Sequence, residues 1–257
     1  MRTLYRNARF APGDLRDETA MLVDGATIAW IGSDDGSAAG SHVRAVDLGG
    51  ALVTPAFVDA HVHLTATGLA LTGLDLAAAR SLTEALDLIE RAARAGRGRP
   101  VLGGGWDDTR WPERRPPTAR ELDRAGYGGL VYLARVDAHS AVASSALLAA
   151  VPGLSDLAGY RPDGHLTRVA HDAARTAALA GLGQARTAEL QRAALQRAAR
   201  LGIGCVHEMG GPAISSDADL AGAIRLGRSE PVPEVIGYWG ELFGIEAARD
   251  LGAAGAA

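Results

Sequence analysis

The stretch Val58-Asp59-Ala60-His61-Val62-His63-Leu64 follows the apolar run Ala51-Leu52-Val53-Thr54-Pro55-Ala56-Phe57. Side chains alternate along a strand, so His61 and His63 project from one face. Neutral imidazole is the commonest metal ligand, and two of them at the end of a strand that opens into a pocket can grip one divalent ion. By itself the pair fits equally well a coincidence of surface or core histidines, so the surrounding sequence has to decide.

Downstream, apolar strand and helix alternate. Ser81 and Glu84 form a capping box, Leu82, Leu86, Ile89 and Ala93 share one helical face, and Gly96 stops that helix. Val101 to Gly105 reads as the next strand and runs into Trp106-Asp107-Asp108. Thr118 and Glu121 cap a short helix, Leu130 to Val136 is a third strand ending in Asp137-Ala138-His139, and a helix is expected over Ser140 to Val151. The glycine-rich passage from Pro152 to His171 reads as an excursion above the pocket. A helix over Thr187 to Leu201 ends at Gly202, and the fourth strand, Ile203 to Val206, runs into His207-Glu208-Met209. Helix Ser216 to Leu226, strand Val232 to Tyr238 and a last helix near Glu241 complete the series.

Such alternation implies an α/β fold with a parallel sheet and right-handed crossovers. Gly103-Gly104-Gly105 lacks the spacing of a dinucleotide fingerprint, and no Walker motif or internal repeat is present. Ionisable residues collect after the ends of several strands, which favours a β/α barrel of the TIM type. A full barrel needs eight strands and about five βα units are readable, so a partial barrel is expected.

Upstream, residues 1–54 differ in character. Ala20 to Val23 and Thr27 to Gly32 read as strands joined at Asp24-Gly25, Ser33 to Ser41 as a loop, and Val43 to Leu48 as another strand. This is a small antiparallel β domain, too small to stand alone, preceding a hydrolase-type barrel over 55–257.

The chain has 257 residues, a net charge of −4 and no basic block, which favours a small-molecule substrate and argues against nucleic acid or an anionic membrane surface. Its 26 cationic residues are all arginine, which removes Schiff-base, lysine-base and carbamylated-lysine chemistry. A single cysteine, Cys205, precludes an internal disulfide. With a polar Met1 to Phe10 and no long apolar run, neither leader nor membrane span is expected, and the default location is cytoplasmic.

Together these residues resemble the amidohydrolase superfamily, specifically its YtcJ-like branch, amidohydrolase family 3, which includes N-substituted formamide deformylases. The matching stretches are Gly49-Gly50 through His63, Gly105-Trp106-Asp107 with Trp111, Pro117-Thr118, Glu121-Leu122-Asp123, Val136 to Ala143 and Gly202 to Gly211. The resemblance spans nearly the whole chain and turns His61 and His63 into expected metal ligands. It implies a hydrolase of amide-type C–N bonds in which one divalent ion or two, often zinc, polarise a water and the substrate carbonyl, lowering the pKa of that water to about 7. With no lysine to carbamylate, Glu208 is the implied carboxylate ligand. His207 rivals it, since one residue of register decides which faces inward.

Asp137 and His139 share a face if their strand runs straight through them, and are then expected to orient substrate; otherwise they are a cap and a solvent-edge histidine. Trp106 and Asp107 are expected to line the pocket, with Trp106 equally at home in a core. His165 and His171 are expected to be solvated, His42 to be on the surface, and Cys205 to be an inert core thiol. Relatives carry further histidine ligands and a proton-shuttling aspartate on later strands, and none of those motifs follows Tyr238. The expectation is therefore an N-terminal portion of such an enzyme, inactive as given. The rival reading is a non-catalytic half-barrel that binds or interacts, dimerising to cover its open sheet edge.

Overall fold

The computed structural model describes residues 1–11, 17–34, 43–212, 214–241 and 244–256. His42 and the stretch 35–41 of the expected loop lie outside the described residues. Two compact units divide between Phe57 and Val58.

The first unit is a four-stranded sheet of β1 (Arg2–Phe10), β2 (Ala20–Asp24), β3 (Thr27–Gly32) and β4 (Arg44–Val53), in the order β3-β2-β1-β4. The β1/β2 and β2/β3 pairs are antiparallel and β4 joins β1 in parallel. Gly25 takes the turn at φ +61°, as the Asp-Gly signal requires. Strand β1 was not legible in the sequence, yet it lies at the centre, burying Leu4, Ala8 and Phe10 and exposing Arg6 and Arg9. A bulge between Arg6 and Ala8 puts Asn7 at φ 54°. Asp47 Oδ1 stitches it by accepting from Asn7 Nδ2 at 3.0 Å and from the Gly49 amide at 2.8 Å.

The second unit runs β5 (Phe57–Val62), α1 (Leu64–Thr72), β6 (Leu74–Asp75), α2 (Leu82–Gly96), β7 (Val101–Trp106), α3 (Ala119–Ala125), β8 (Val131–Arg135), β9 (Ser140–Ala143), α4 (Ser145–Ala150), β10 (His165–Thr167), α5 (Arg168–Ala180), α6 (Gly183–Arg200), β11 (Ile203–Gly210), α7 (Asp217–Ser229), β12 (Glu234–Trp239), α8 (Ile245–Asp250) and β13 (Gly255–Ala256). Helix starts follow the sequence: Ser81 Oγ accepts from the Glu84 amide, and Thr118 and Glu121 form a reciprocal capping box. No helix among the described residues is long and apolar enough to cross a membrane.

These strands do not form one barrel wall. Among the described residues they make two sheets, β10-β9-β8-β7-β6 and β13-β12-β11-β5, and no closed barrel. The neighbour of the HxH strand is therefore β11, and residues 64–202 are a long crossover carrying a sheet of its own. Counting strands in chain order placed β7 and β8 between β5 and β11; the pairing corrects this.

The five-stranded sheet is covered on both faces. Val101, Val131 and Leu133 pack with Trp106, Trp111 and the buried faces of α2 and α3. On the other side Leu102 and Tyr132 pack with Leu147 and with Ala170, Ala174 and Ala178 of α5. A barrel wall has helices on its outer face only, so this sheet is a layered α/β element. The expected excursion is largely structured too: it contains β10, antiparallel to β9, and leads into α5. Ser140 to Ala143, expected to be helical, is instead a buried strand that returns along β8.

In the four-stranded sheet β11, β12 and β13 are parallel. Val206, Val235 and Trp239 face the helices, packing with Leu64, Leu195, Leu220 and Ile224. Helix α1 meets α6 so closely that a Cβ on Gly68 would lie 2.1 Å from the Leu190 carbonyl oxygen. The crossing admits no side chain there.

Candidate functional site

Strand β5 ends at Val62, and His63 occupies the N-cap position of α1 with extended backbone and no side-chain cap of its own. Val62 packs toward the helix-side core, and His61, one residue away on the opposite face, is exposed. The two imidazoles lie edge to face with centroids 5.2 Å apart. His63 Nδ1 is 2.9 Å from the Met209 carbonyl oxygen. A carbonyl only accepts, so Nδ1 carries a proton, which in the neutral tautomer makes Nε2 the nitrogen with the lone pair. A ring N–H anchored on a backbone carbonyl is how metal-binding histidines are held.

On β11 the alternation of burial settles the register. Val206, Glu208 and Gly210 are buried while Cys205, His207 and Met209 are half-buried. Since Val206 packs in the helix-side core, Glu208 points that way too, and His207 faces the open side, its ring against Tyr238 at 5.3 Å. Glu208 Oε2 accepts from the Leu64 amide at 2.7 Å, satisfying an orphan donor at the start of α1. Burial pushes the Glu208 carboxyl up to about 8, working against the Leu64 hydrogen bond and helped by the nearby Asp219 carboxylate.

Behind Glu208 sits a polar group that the sequence did not announce. Thr65 Oγ1 donates to Asp219 Oδ1 at 2.6 Å, and the Gln191 amide donates to the same oxygen and to the Asp219 carbonyl at 3.0 Å. Burial raises the Asp219 pKa against those two donors. His63, Thr65, Arg175, Glu208 and Asp219 border a cavity of about 110 Å³.

A metal ion is implied by the resemblance. His61 and His63 suit the purpose as a pair. Among the described residues, however, no group of three or more His, Cys, Asp or Glu side chains is gathered in a way that could hold an ion. Glu208, expected as the carboxylate ligand, turns to the helix side of β11 and is engaged at α1. The residues present therefore do not complete a metal site.

The remaining expected residues belong to the other sheet. Trp106 is completely buried, its Nε1 donates to the Leu133 carbonyl at 2.9 Å, and it packs against Trp111. It is core and offers no surface to a substrate. Asp107 accepts from the Thr109 hydroxyl and amide, which hold its carboxyl below the usual range together with Arg135. Strand β8 stops at Arg135, and Ala138 turns the chain at φ 59°, so Asp137 and His139 lie on a tight turn and not on a straight strand. Asp137 Oδ1 accepts from the His139 amide at 3.0 Å, and the His139 side chain is exposed. Their expected sharing of a strand face is not realised.

The organiser of this cluster is Arg135. Its guanidinium reaches Asp107 at 3.2 Å, Asp108 at 3.1 Å and Asp137 at 2.6 Å, and lies 5.8 Å from the Trp106 ring centroid. Burial opposes its charge, but the carboxylates more than offset this and raise its pKa. A lone cation ending an otherwise apolar strand was the available signal. No hydrogen bond joins this cluster to His61 or His63 among the described residues.

His165 and His171, expected to be solvated, are not. His165 is half-buried, edge-on to Trp106 at 6.1 Å, with a buried Nε2 that has no partner, and burial lowers its pKa. His171 is buried in α5, its Nε2 2.8 Å from the Tyr132 hydroxyl. Cys205 is half-buried on the open side of β11, and burial pushes its thiol up, away from reactivity.

Comparison with known proteins places these features. The sequence profile of the amidohydrolase family matches residues 44–242. N-substituted formamide deformylase of Arthrobacter pascens is 32% identical over 149 residues, 55% of this chain and 28% of that protein. Protein LONG AFTER FAR-RED 3 of Arabidopsis thaliana is 33% identical over 110 residues, 42% of this chain and 19% of that protein. The crystal structure of an uncharacterized metal-dependent hydrolase from Pyrococcus horikoshii OT3 superposes with a TM-score of 0.77 at 22% identity, covering 98% of this chain and 51% of that one. At that identity the likeness is one of fold. The chain thus spans about half of that solved structure, and its alignments with the two curated relatives cover less than a third of each.

Proposed function

Because the chain belongs to the amidohydrolase family, we propose that it supplies the first portion of a metal-dependent hydrolase that cleaves an amide-type C–N bond in a small molecule. We read β5, β11, β12 and β13 as the start of a barrel wall, a reading supported by the parallel β11/β12 and β12/β13 pairs and by a fold match to a chain of about twice the length. The observation that carries the functional reading is the His63 ring, its Nδ1 proton held by the Met209 carbonyl beside His61. Imidazole ligands suit zinc, as they also suit copper, iron and nickel.

The chemistry such an ion supplies is a water activated near neutral pH. With no group of three or more metal-binding side chains among the described residues, no hydrolytic step is assigned to this chain alone. The test is the metal content of purified protein and of His61→Ala and His63→Ala, with turnover of an N-substituted formamide. Weak zinc binding that both substitutions abolish, without turnover, is expected; zinc content unchanged in the double variant would refute the reading.

A second reading, a non-catalytic binding module, is favoured by the half-buried open face of Cys205, His207, Met209, Ile236 and Tyr238. It expects both histidine variants to retain ligand binding, and a dimer in sedimentation.

A further inference from the structure

We propose that Glu208 and Met209 form a clamp on the His63-Leu64 junction, so that Glu208 is a positioning residue of the HxH site and not one of its ligands. The metal part of this inference rests on the proposed function; the clamp itself does not. Helix α1 begins without local help. His63 makes no side-chain cap, and the first turn contains no acidic residue. Its initial N–H groups therefore need an acceptor from elsewhere.

Strand β11 provides one. The Glu208 carboxylate takes the Leu64 amide at 2.7 Å, and the carbonyl of the very next residue, Met209, takes the ring N–H of His63 at 2.9 Å. Consecutive residues of one strand thus hold consecutive residues of the other, one fixing the backbone where the helix starts and one fixing the ring and its tautomer. Together they determine where His63 Nε2 points. Glu208 is 4% exposed, and its Oε2 is committed to the Leu64 amide, which fixes the side chain at the start of α1. The side-chain hydroxyl of Thr65, next along α1, donates to Asp219 of α7, so the first turn of α1 is tied down at successive residues.

The inference separates Glu208→Gln from Glu208→Ala. A glutamine oxygen can accept from the Leu64 amide, but a neutral amide is a poor substitute for a carboxylate ligand. Cobalt(II) titration followed by visible absorption, with His61→Ala as the standard for loss of a ligand, is paired with NMR hydrogen exchange of the Leu64 amide in metal-free protein. E208Q is expected to bind cobalt within about threefold of the parent and to keep Leu64 protected, whereas E208A exchanges Leu64 at least about tenfold faster and binds cobalt about 10–100-fold more weakly, the range for loss of a supporting partner.

E208Q losing cobalt affinity as fully as His61→Ala would overturn the assignment and make Glu208 a ligand. If the parent binds no cobalt, the metal reading fails, while the clamp is still judged by Leu64 exchange. Unchanged exchange in E208A would refute the clamp. Should E208A not fold, Leu64 protection in E208Q decides: retained protection supports the clamp and lost protection overturns it.

Discussion

The closest helix crossing near the site gives the sharpest stability prediction. A Cβ at Gly68 would lie 2.1 Å from the Leu190 carbonyl oxygen and 2.4 Å from its carbon, both backbone atoms that no rotamer change can move. Carbon–oxygen contacts settle near 3.3 Å or more, so Gly68→Ala must part α1 and α6 by about 1 Å. Overpacking of this kind costs about 1–3 kcal/mol, and the backbone clash argues for the upper end. The better helix propensity of alanine offsets about 1 kcal/mol. A net loss of about 2 kcal/mol follows, close to 1 M in urea midpoint for an m-value of about 2 kcal/mol/M. Gly222→Ala is the matched control. That glycine is also helical, but its Cβ would meet only side-chain atoms, Gln191 at 3.4 Å and Arg225 at 4.0 Å, so propensity dominates and a gain of up to about 1 kcal/mol is expected. Urea unfolding of the second unit is followed by the fluorescence of its buried Trp106, Trp111 and Trp239. Midpoints moving in the same direction for the two variants would refute the reasoning. Since His63 is the N-cap of α1, Gly68→Ala should also weaken cobalt binding.

Tyr132→Phe strands the buried His171 Nε2 and is expected to cost about 1–3 kcal/mol in urea unfolding; adding His171→Leu should recover part of this, and a neutral Tyr132→Phe would argue against the pair. Arg115 and the Thr118 cap hold Glu121 down at about 2, below its ordinary 4.5. A depressed folded pKa gives stability that is complete above about 4.5 and is lost as pH falls toward 2. Arg115 is half-exposed, so after allowance for screening the loss is about 1 kcal/mol, and acid titration of Glu121→Gln should lack that step. Arg135→Met leaves three aspartates with no shared cation; a loss of about 1–2 kcal/mol at low salt that shrinks in 1 M NaCl is expected, and a salt-independent loss would refute the electrostatic account.

Much of the local structure was legible and most of the long-range structure was not. Ser81, Thr118 and Ser216 mark helix starts because capping is a matter of neighbouring residues. The family was legible for the same reason, being carried by short motifs. The pairing of β5 with β11 was not, since no local signal records which strand adopts which neighbour. Ser140 to Ala143 looked helical by composition, but the turn at Asp137-Ala138 sends it back along β8. Helix α5 was hidden by the glycines before it, although Ala170, Ala174 and Ala178 recur at helical spacing. At the site, the HxH pair could be read directly, whereas the facing of Glu208 depended on a one-residue register that only the packing of Val206 discloses. Arg135, Asp219 and Gln191 act through partners distant in sequence and so left no motif.

The pairing of β5 with β11 also bears on the order of events during synthesis. The crossover between them can form its helices and its sheet from nearer partners, whereas β5 must wait for β11, about 140 residues later. At translation rates of about 5–20 residues per second this is a delay of about 7–30 s. Throughout it the edge of β5 that later meets β11 is unpaired and open to other chains. Closing so long a loop is slow but only modestly costly in entropy. The vulnerability of the edge that β11 covers is therefore kinetic, and chaperone dependence should track how long that edge is exposed.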